Sequence, residues 1–195
     1  MGDKAYTQFQ LENATAKLLK AEPKKATRGD KEVVNLYSQW EYTGHAAFLA
    51  HFHPRLRSAL LIKTENEDID SDHRPLVQFP EMGWIPWDWK SGGYGLVVPR
   101  GISSASAIKM NVELLDSIRF KILEGDRATV RWRTRSDPAD AERGIITGMV
   151  GQTFPVTLTP PGQDYVAPAT PAKGRKGKKA GETAPDDTQQ ELEPA

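Results

Sequence analysis

The chain has 195 residues, enough for one ordinary domain of about 160 residues with an appendage, and too few for two large domains. It contains no cysteine, which excludes disulfides, thiolate metal sites and cysteine nucleophiles together and points to a reducing, cytoplasmic setting. Twenty-six Lys and Arg balance twenty-six Asp and Glu, so the placement of charge, not its total, has to indicate a partner.

Along the chain, the first thirty residues carry Lys4, Lys17, Lys20, Lys24, Lys25 and Arg28 without an apolar run of signal-peptide length. No later stretch approaches the ~20 apolar residues that cross a bilayer, so neither secretion nor membrane spanning is expected. The first clear element is a strand in which Val34, Leu36, Trp40 and Tyr42 share one face and Asn35, Gln39 and Glu41 the other. Ala46 to His53 reads as a short helix stopped by Pro54.

The segment 84 to 98 reads as a hairpin: Ile85, Trp87 and Trp89 share a parity, Ser91-Gly92-Gly93 tolerates positive φ, and Leu96 and Val98 continue the apolar pattern. A second hairpin follows, with Ile118, Phe120 and Ile122 outbound, Glu124-Gly125-Asp126 at the turn, and Ala128, Val130 and Trp132 on the return. Asp137-Pro138 reads as a helix start whose helix would carry Ile145, Ile146, Met149 and Val150 against a sheet and end at Gly151. Phe154 to Thr159 is the closing strand. These elements define a mostly β, β-rich α+β fold over residues 1–160, an antiparallel sandwich or partly open barrel with one or two short helices. Residues 161–195 follow Pro160 and hold Pro161-Gly162 at their start, then the basic run Lys173 to Lys179, then five acidic residues and no basic one from Glu182 onward. Such a composition buries too little apolar area to offset the entropy of ordering, so a disordered tail is expected.

Candidate chemistry is sparse. His45, His51 and His53 lie close together, and Glu65, Glu67, Asp68, Asp70, Asp72 and His73 form an acidic stretch. Yet His51 and His53 on a helix point roughly 200° apart, so no metal site is expected. No Gly-x-Ser-x-Gly elbow, Walker pattern or dinucleotide fingerprint occurs, and Gly92-Gly93-x-Gly95 is read as a turn. The expectation is a protein without catalytic residues and without a cofactor. Trp84-Ile85-Pro86-Trp87-Asp88-Trp89 holds three of the five tryptophans; Trp87 and Trp89 share the core parity of Ile85, whereas Trp84 faces the other way. In the second hairpin, inward Ile118, Phe120, Ile122, Val130 and Trp132 leave Arg119, Lys121, Arg131, Arg133 and Arg135 on the outer face. Such a stripe either meets an anionic partner or is neutralised by carboxylates of a neighbouring strand.

Four stretches, Phe9-Gln10-Leu11-Glu12-Asn13-Ala14, Phe52-His53-Pro54-Arg55-Leu56-Arg57-Ser58, Phe79-Pro80 to Trp89, and Leu123-Glu124-Gly125 running on to Asp137-Pro138, resemble a group of uncharacterised proteins of tailed bacteriophages. Those proteins are often encoded near replication and recombination genes. The resemblance implies a cytoplasmic accessory of DNA metabolism and supplies no functional residue. Combined with the stripe, it gives the expectation of a protein that binds nucleic acid, single-stranded, through Arg119, Lys121, Arg131, Arg133 and Arg135, with Trp84 for stacking and the acidic tail open to a protein partner. The alternative is a structural or protein-interaction module, a phage assembly component or an inhibitor of a host factor, that uses the aromatic segment.

Overall fold

The computed structural model describes residues 8–62, 76–100 and 106–162; the acidic stretch 63–75 and everything beyond 162, including the expected tail, lie outside the described residues. Among the described residues nine strands carry the fold: β1 (Leu11–Arg28), β2 (Lys31–His45), β3 (Leu61–Ile62), β4 (Leu76–Val77), β5 (Ile85–Trp87), β6 (Tyr94–Val98), β7 (Ile108–Leu123), β8 (Arg127–Ser136) and β9 (Thr153–Thr159). Two short α-helices, α1 (Leu56–Leu60) and α2 (Asp140–Gly148), a 3-10 helix (Ala46–His51) and a single 3-10 turn (Pro80–Met82) interrupt them. The sheet order β7-β6-β9-β1-β2-β8 closes on itself because β7 also pairs with β8, and every pairing is antiparallel. The mostly β, antiparallel class read from the sequence is the one observed, and its form is a closed six-stranded barrel with β5 attached outside the ring on β7.

Closure depends on two long, bent strands. In β1 the inward residues are Leu11, then Ala16 and Leu18, then Ala21, and the phase changes at two register shifts, between Leu11 and Ala14 and between Leu18 and Lys20. Asn13 takes φ 45° at the first of these, a conformation that Asn tolerates better than most residues, and its N–H donates to Thr157 Oγ1 at 3.1 Å. β7 bends in the same way, with shifts between Val112 and Leu114 and between Asp116 and Arg119, and Ser117 at φ 55°. Each shift lets a strand turn the barrel's corner while its apolar side chains return to the inside.

The segment 84 to 98 is not a hairpin. β5 and β6 do not pair with each other; they lie one after the other along the same edge of β7, Ile85 opposite Phe120, Ser91 bridging Leu115 and Val98 opposite Ile108. The glycines that suggested a turn instead let the chain pass close to β7: a Cβ on Gly92 would sit 2.5 Å from the Glu113 carbonyl oxygen. The second hairpin is present as expected, with Gly125 and Asp126 both at positive φ in its turn.

Trp40 and Trp132 face each other across β2 and β8, stack at 6.5 Å between centroids, and are fully buried. Phe52, just after the 3-10 helix, lies 4.9 Å from Phe9 and 4.8 Å from Phe120, with Trp87 and Trp89 each 6.3 Å away. Trp87 and Trp89 thus pack against the core, half-buried rather than central to it. α2 starts at Asp140, later than Asp137-Pro138 suggests, because the Glu142 carboxylate accepts the Ala139 N–H at 3.2 Å. It buries Ile146 and leaves Val150 41% exposed, against the expectation that Val150 packs on the sheet.

Candidate functional site

The outer faces of β2, β8, β7 and the start of β5 form one continuous surface. The ladder sets Glu41 opposite Arg131 and Tyr37 opposite Arg135 between β2 and β8, and Arg119 opposite Arg131 and Asp116 opposite Arg133 between β7 and β8. All five cations of the hairpin face outward, Arg119, Lys121 and Arg133 exposed and Arg131 and Arg135 half-buried.

Three of the five have carboxylate partners. Arg131 Nε donates to Glu41 Oε2 at 2.6 Å. Arg133 forks onto Asp116, with Nε to Oδ1 at 2.8 Å and the terminal nitrogen to Oδ2 at 2.9 Å, and Ser117 Oγ donates to the same Oδ1 at 3.0 Å. Arg135 Nε lies 3.4 Å from Glu113 Oε2, and Arg28 from β1 binds the other oxygen of that carboxylate. The Arg133 hydrogen bonds hold the buried Asp116 carboxyl below its ordinary value, and in return raise the Arg133 guanidinium. The sequence already put Glu41 on an outward face. What it did not show is that β2 lies beside β8, or that the bulged middle of β7 turns Glu113 and Asp116 toward the arginines.

Arg119 and Lys121 have no carboxylate partner among the described residues. Arg119 instead shares an aromatic ring with its opposite number: the Trp84 centroid is 4.2 Å from the Arg131 guanidinium carbon and 5.8 Å from that of Arg119. Two guanidiniums directly across a ladder repel. Here Glu41 neutralises one, and the face of Trp84 attracts both. Trp84 itself is half-buried, on the opposite parity from the core-packed Trp87.

A second cation lies over a second ring on this surface. Lys24 Nζ sits 5.3 Å from the centroid of Tyr37, a residue that the sequence reading left out of the site. Of the five hairpin cations and Arg28, four use the three carboxylates Glu41, Asp116 and Glu113 while Arg119 and Lys121 use none of them, so this group of nine side chains carries an excess of positive charge.

His45 and His53 are occupied elsewhere. Nδ1 of His45 accepts the Ala47 N–H and Nδ1 of His53 accepts the Arg55 N–H, each at 3.2 Å, while His45 Nε2 lies 3.0 Å from Asp126. Asp126 also takes Arg57 Nε at 3.0 Å, and its carbonyl accepts the Ala46 N–H at 2.8 Å, so this carboxylate ties the β7–β8 turn to α1 and the 3-10 helix. Among the described residues no three His, Asp or Glu side chains converge on a point; Glu65, Glu67, Asp68, Asp70, Asp72 and His73 lie outside them. Likewise, no described helix is long and apolar enough to cross a membrane.

Beside Lys121 the surface turns apolar. Phe79, Met82, Ile62 and Leu76 are each about half exposed, at 47, 53, 50 and 57%, and Phe79 and Met82 line a shallow cleft with Leu60, Val77 and Ile85. The class defined by fold and surface is a small closed antiparallel barrel with a cationic, aromatic outer face. No family model, curated protein or solved structure matches the chain.

Proposed function

We propose that the protein binds single-stranded nucleic acid on the outer face of β7, β8 and β5, as an accessory of DNA replication or recombination of the phage type that the resemblance implies. The observation that carries this reading is the group Trp84, Arg119 and Lys121: a half-buried indole outside the core with the Arg119 guanidinium 5.8 Å from its centroid, and Lys121 two residues further along β7, neither cation having a carboxylate partner among the described residues. Bases stack on such rings only when unpaired, while the cations follow the phosphates, so the combination favours a single strand over a duplex. Arg131, Arg133 and Arg135 belong to the same face, but Arg131 and Arg133 are hydrogen-bonded to Glu41 and Asp116, and Arg135 is ion-paired with Glu113. Their part is to hold Trp84 and shape the surface, with phosphate competing for them only weakly.

The test is fluorescence anisotropy with labelled oligothymidylate at ~50 mM salt, where such contacts are strong. Trp84→Ala, and separately Arg119→Ala with Lys121→Ala, should each weaken binding about 5-fold or more, with the melting temperature little changed. Equal affinity for a duplex of the same length, or unaltered binding by both variants, would contradict the proposal. A second reading, a protein-interaction module, is favoured by the half-exposed Ile62, Leu76, Phe79 and Met82. A protein partner bound there would be released by Phe79→Ser and would be insensitive to Trp84→Ala.

A further inference from the structure

β1 and β2 are longer than the strands that flank them. β9 covers β1 only over Leu11 to Lys17, and β8 covers β2 only from Leu36 onward, yet β1 and β2 stay paired as far as Arg28 and Lys31. Their last turns form a two-stranded ribbon beyond the barrel wall, and the residues from Pro23 to Asp30 are exposed except for Ala26. The ribbon stays connected to the candidate surface: Arg28 reaches back to Glu113, and Lys24 lies over Tyr37, whose ladder partner is Arg135. Tyr37 is therefore on the same outer face as Trp84, four residues along β8 from the arginine that covers Trp84, or about 13 Å at ~3.3 Å per strand residue.

We infer that the surface holds two stacking stations for one strand, Trp84 with Arg119 and Arg131 at one end and Tyr37 with Lys24 at the other, and that the ligand is a single strand long enough to reach both. The inference rests on the proposed nucleic-acid reading and adds to it a length requirement and a second set of residues. At about 3.4 Å per stacked nucleotide, 13 Å corresponds to about four nucleotides, at the lower end of the 4–16 that a barrel of this size engages. Between the stations lies Arg133, paired with Asp116, a polar step of low net charge. Affinity therefore comes from the two ends.

The experiment is a titration of the full chain with oligothymidylates of about 3 and about 12 nucleotides, which fall below and within the range of such sites. The longer strand should bind more tightly, Tyr37→Ala should weaken it about 5-fold or more, and the shorter strand should retain its Trp84-dependent affinity in that variant. Tyr37→Phe should bind like the parent, and Lys24→Ala should weaken only the longer strand, which keeps the test valid if Tyr37→Ala folds poorly. Binding of the longer strand that needs Trp84 but is unaffected by Tyr37→Ala and Lys24→Ala would overturn the second station and leave the proposed function standing. Absence of binding to either strand would overturn both.

Discussion

Arg133 and Asp116 show how far outward parity alone goes at the scale of one residue. Parity makes Arg133 a surface cation that can be removed at little cost. The structure makes it the bidentate partner of a carboxylate only 6% exposed. Arg133→Ala leaves that carboxylate buried without its fork, and should lower stability by about 1–2 kcal/mol, the lower end applying because the arginine itself is partly solvated. Arg119→Ala removes no such bond and should change stability by less than about 0.5 kcal/mol. Urea midpoints of the two variants check the contrast.

The same groups set a pH dependence. Hydrogen bonds from Arg133 and from Arg57 hold the Asp116 and Asp126 carboxyls below the ordinary 3.8. As pH falls, the unfolded chain takes up these protons first. The contribution is therefore full above about pH 4 and is lost below it as the folded carboxyls are protonated in turn. His51 adds a shallower slope at higher pH. Burial pushes its pKa below 6.5, so the folded state resists protonation and stability declines as pH drops through and below 6.5. Thermal melts between pH 7 and pH 3 should show both declines, the acid one shallower in Arg133→Ala, where no guanidinium fork holds the Asp116 carboxyl below its ordinary value.

At the scale of elements, the sequence announced short, unbroken strands and hid bent ones. β8 alternates without interruption from Val130 to Ser136, and the turn residues Glu124-Gly125-Asp126 mark its start, so that hairpin and its outward cations were legible. β1 was not, because two bulges reset its period and scatter Leu11, Ala16, Leu18 and Ala21 over both parities. The first half of β7 escaped notice for the same reason. The partners Glu113 and Asp116 went with it, and with them the neutralisation of Arg133 and Arg135. Trp87 shows a related limit: its parity was read correctly, but β5 lies outside the closed ring, so its indole is half-buried where Trp132 is enclosed. Trp132→Ala should therefore cost about 3–5 kcal/mol, and Trp87→Ala only about 1–2 kcal/mol. Chemical denaturation of the two variants measures the difference.

For the molecule as a whole, ring closure is what turns an arginine-rich hairpin into a surface. Without β2 beside β8, Glu41 and Tyr37 would not reach it; without β5 on β7, Trp84 would not stand beside Arg119 and Arg131. The chain also carries its own polyanion in Glu182, Asp186, Asp187, Glu191 and Glu193. A tethered segment of that charge competes with phosphate at an effective concentration set by its linker, so deletion of residues after 181 should tighten oligonucleotide binding.

The salt dependence of binding to oligothymidylate tests the central claim most directly, because it counts the phosphates that the face neutralises. With Arg131, Arg133 and Arg135 already paired, two or three contacts remain, and the log-log slope should be about −1.4 to −2.1, leaving at high salt a remainder that Trp84→Ala abolishes. The five-cation stripe of the sequence would give about −3.5. A slope near that value would show the ion pairs opening for phosphate, and no measurable binding at ~50 mM salt would contradict the account as a whole.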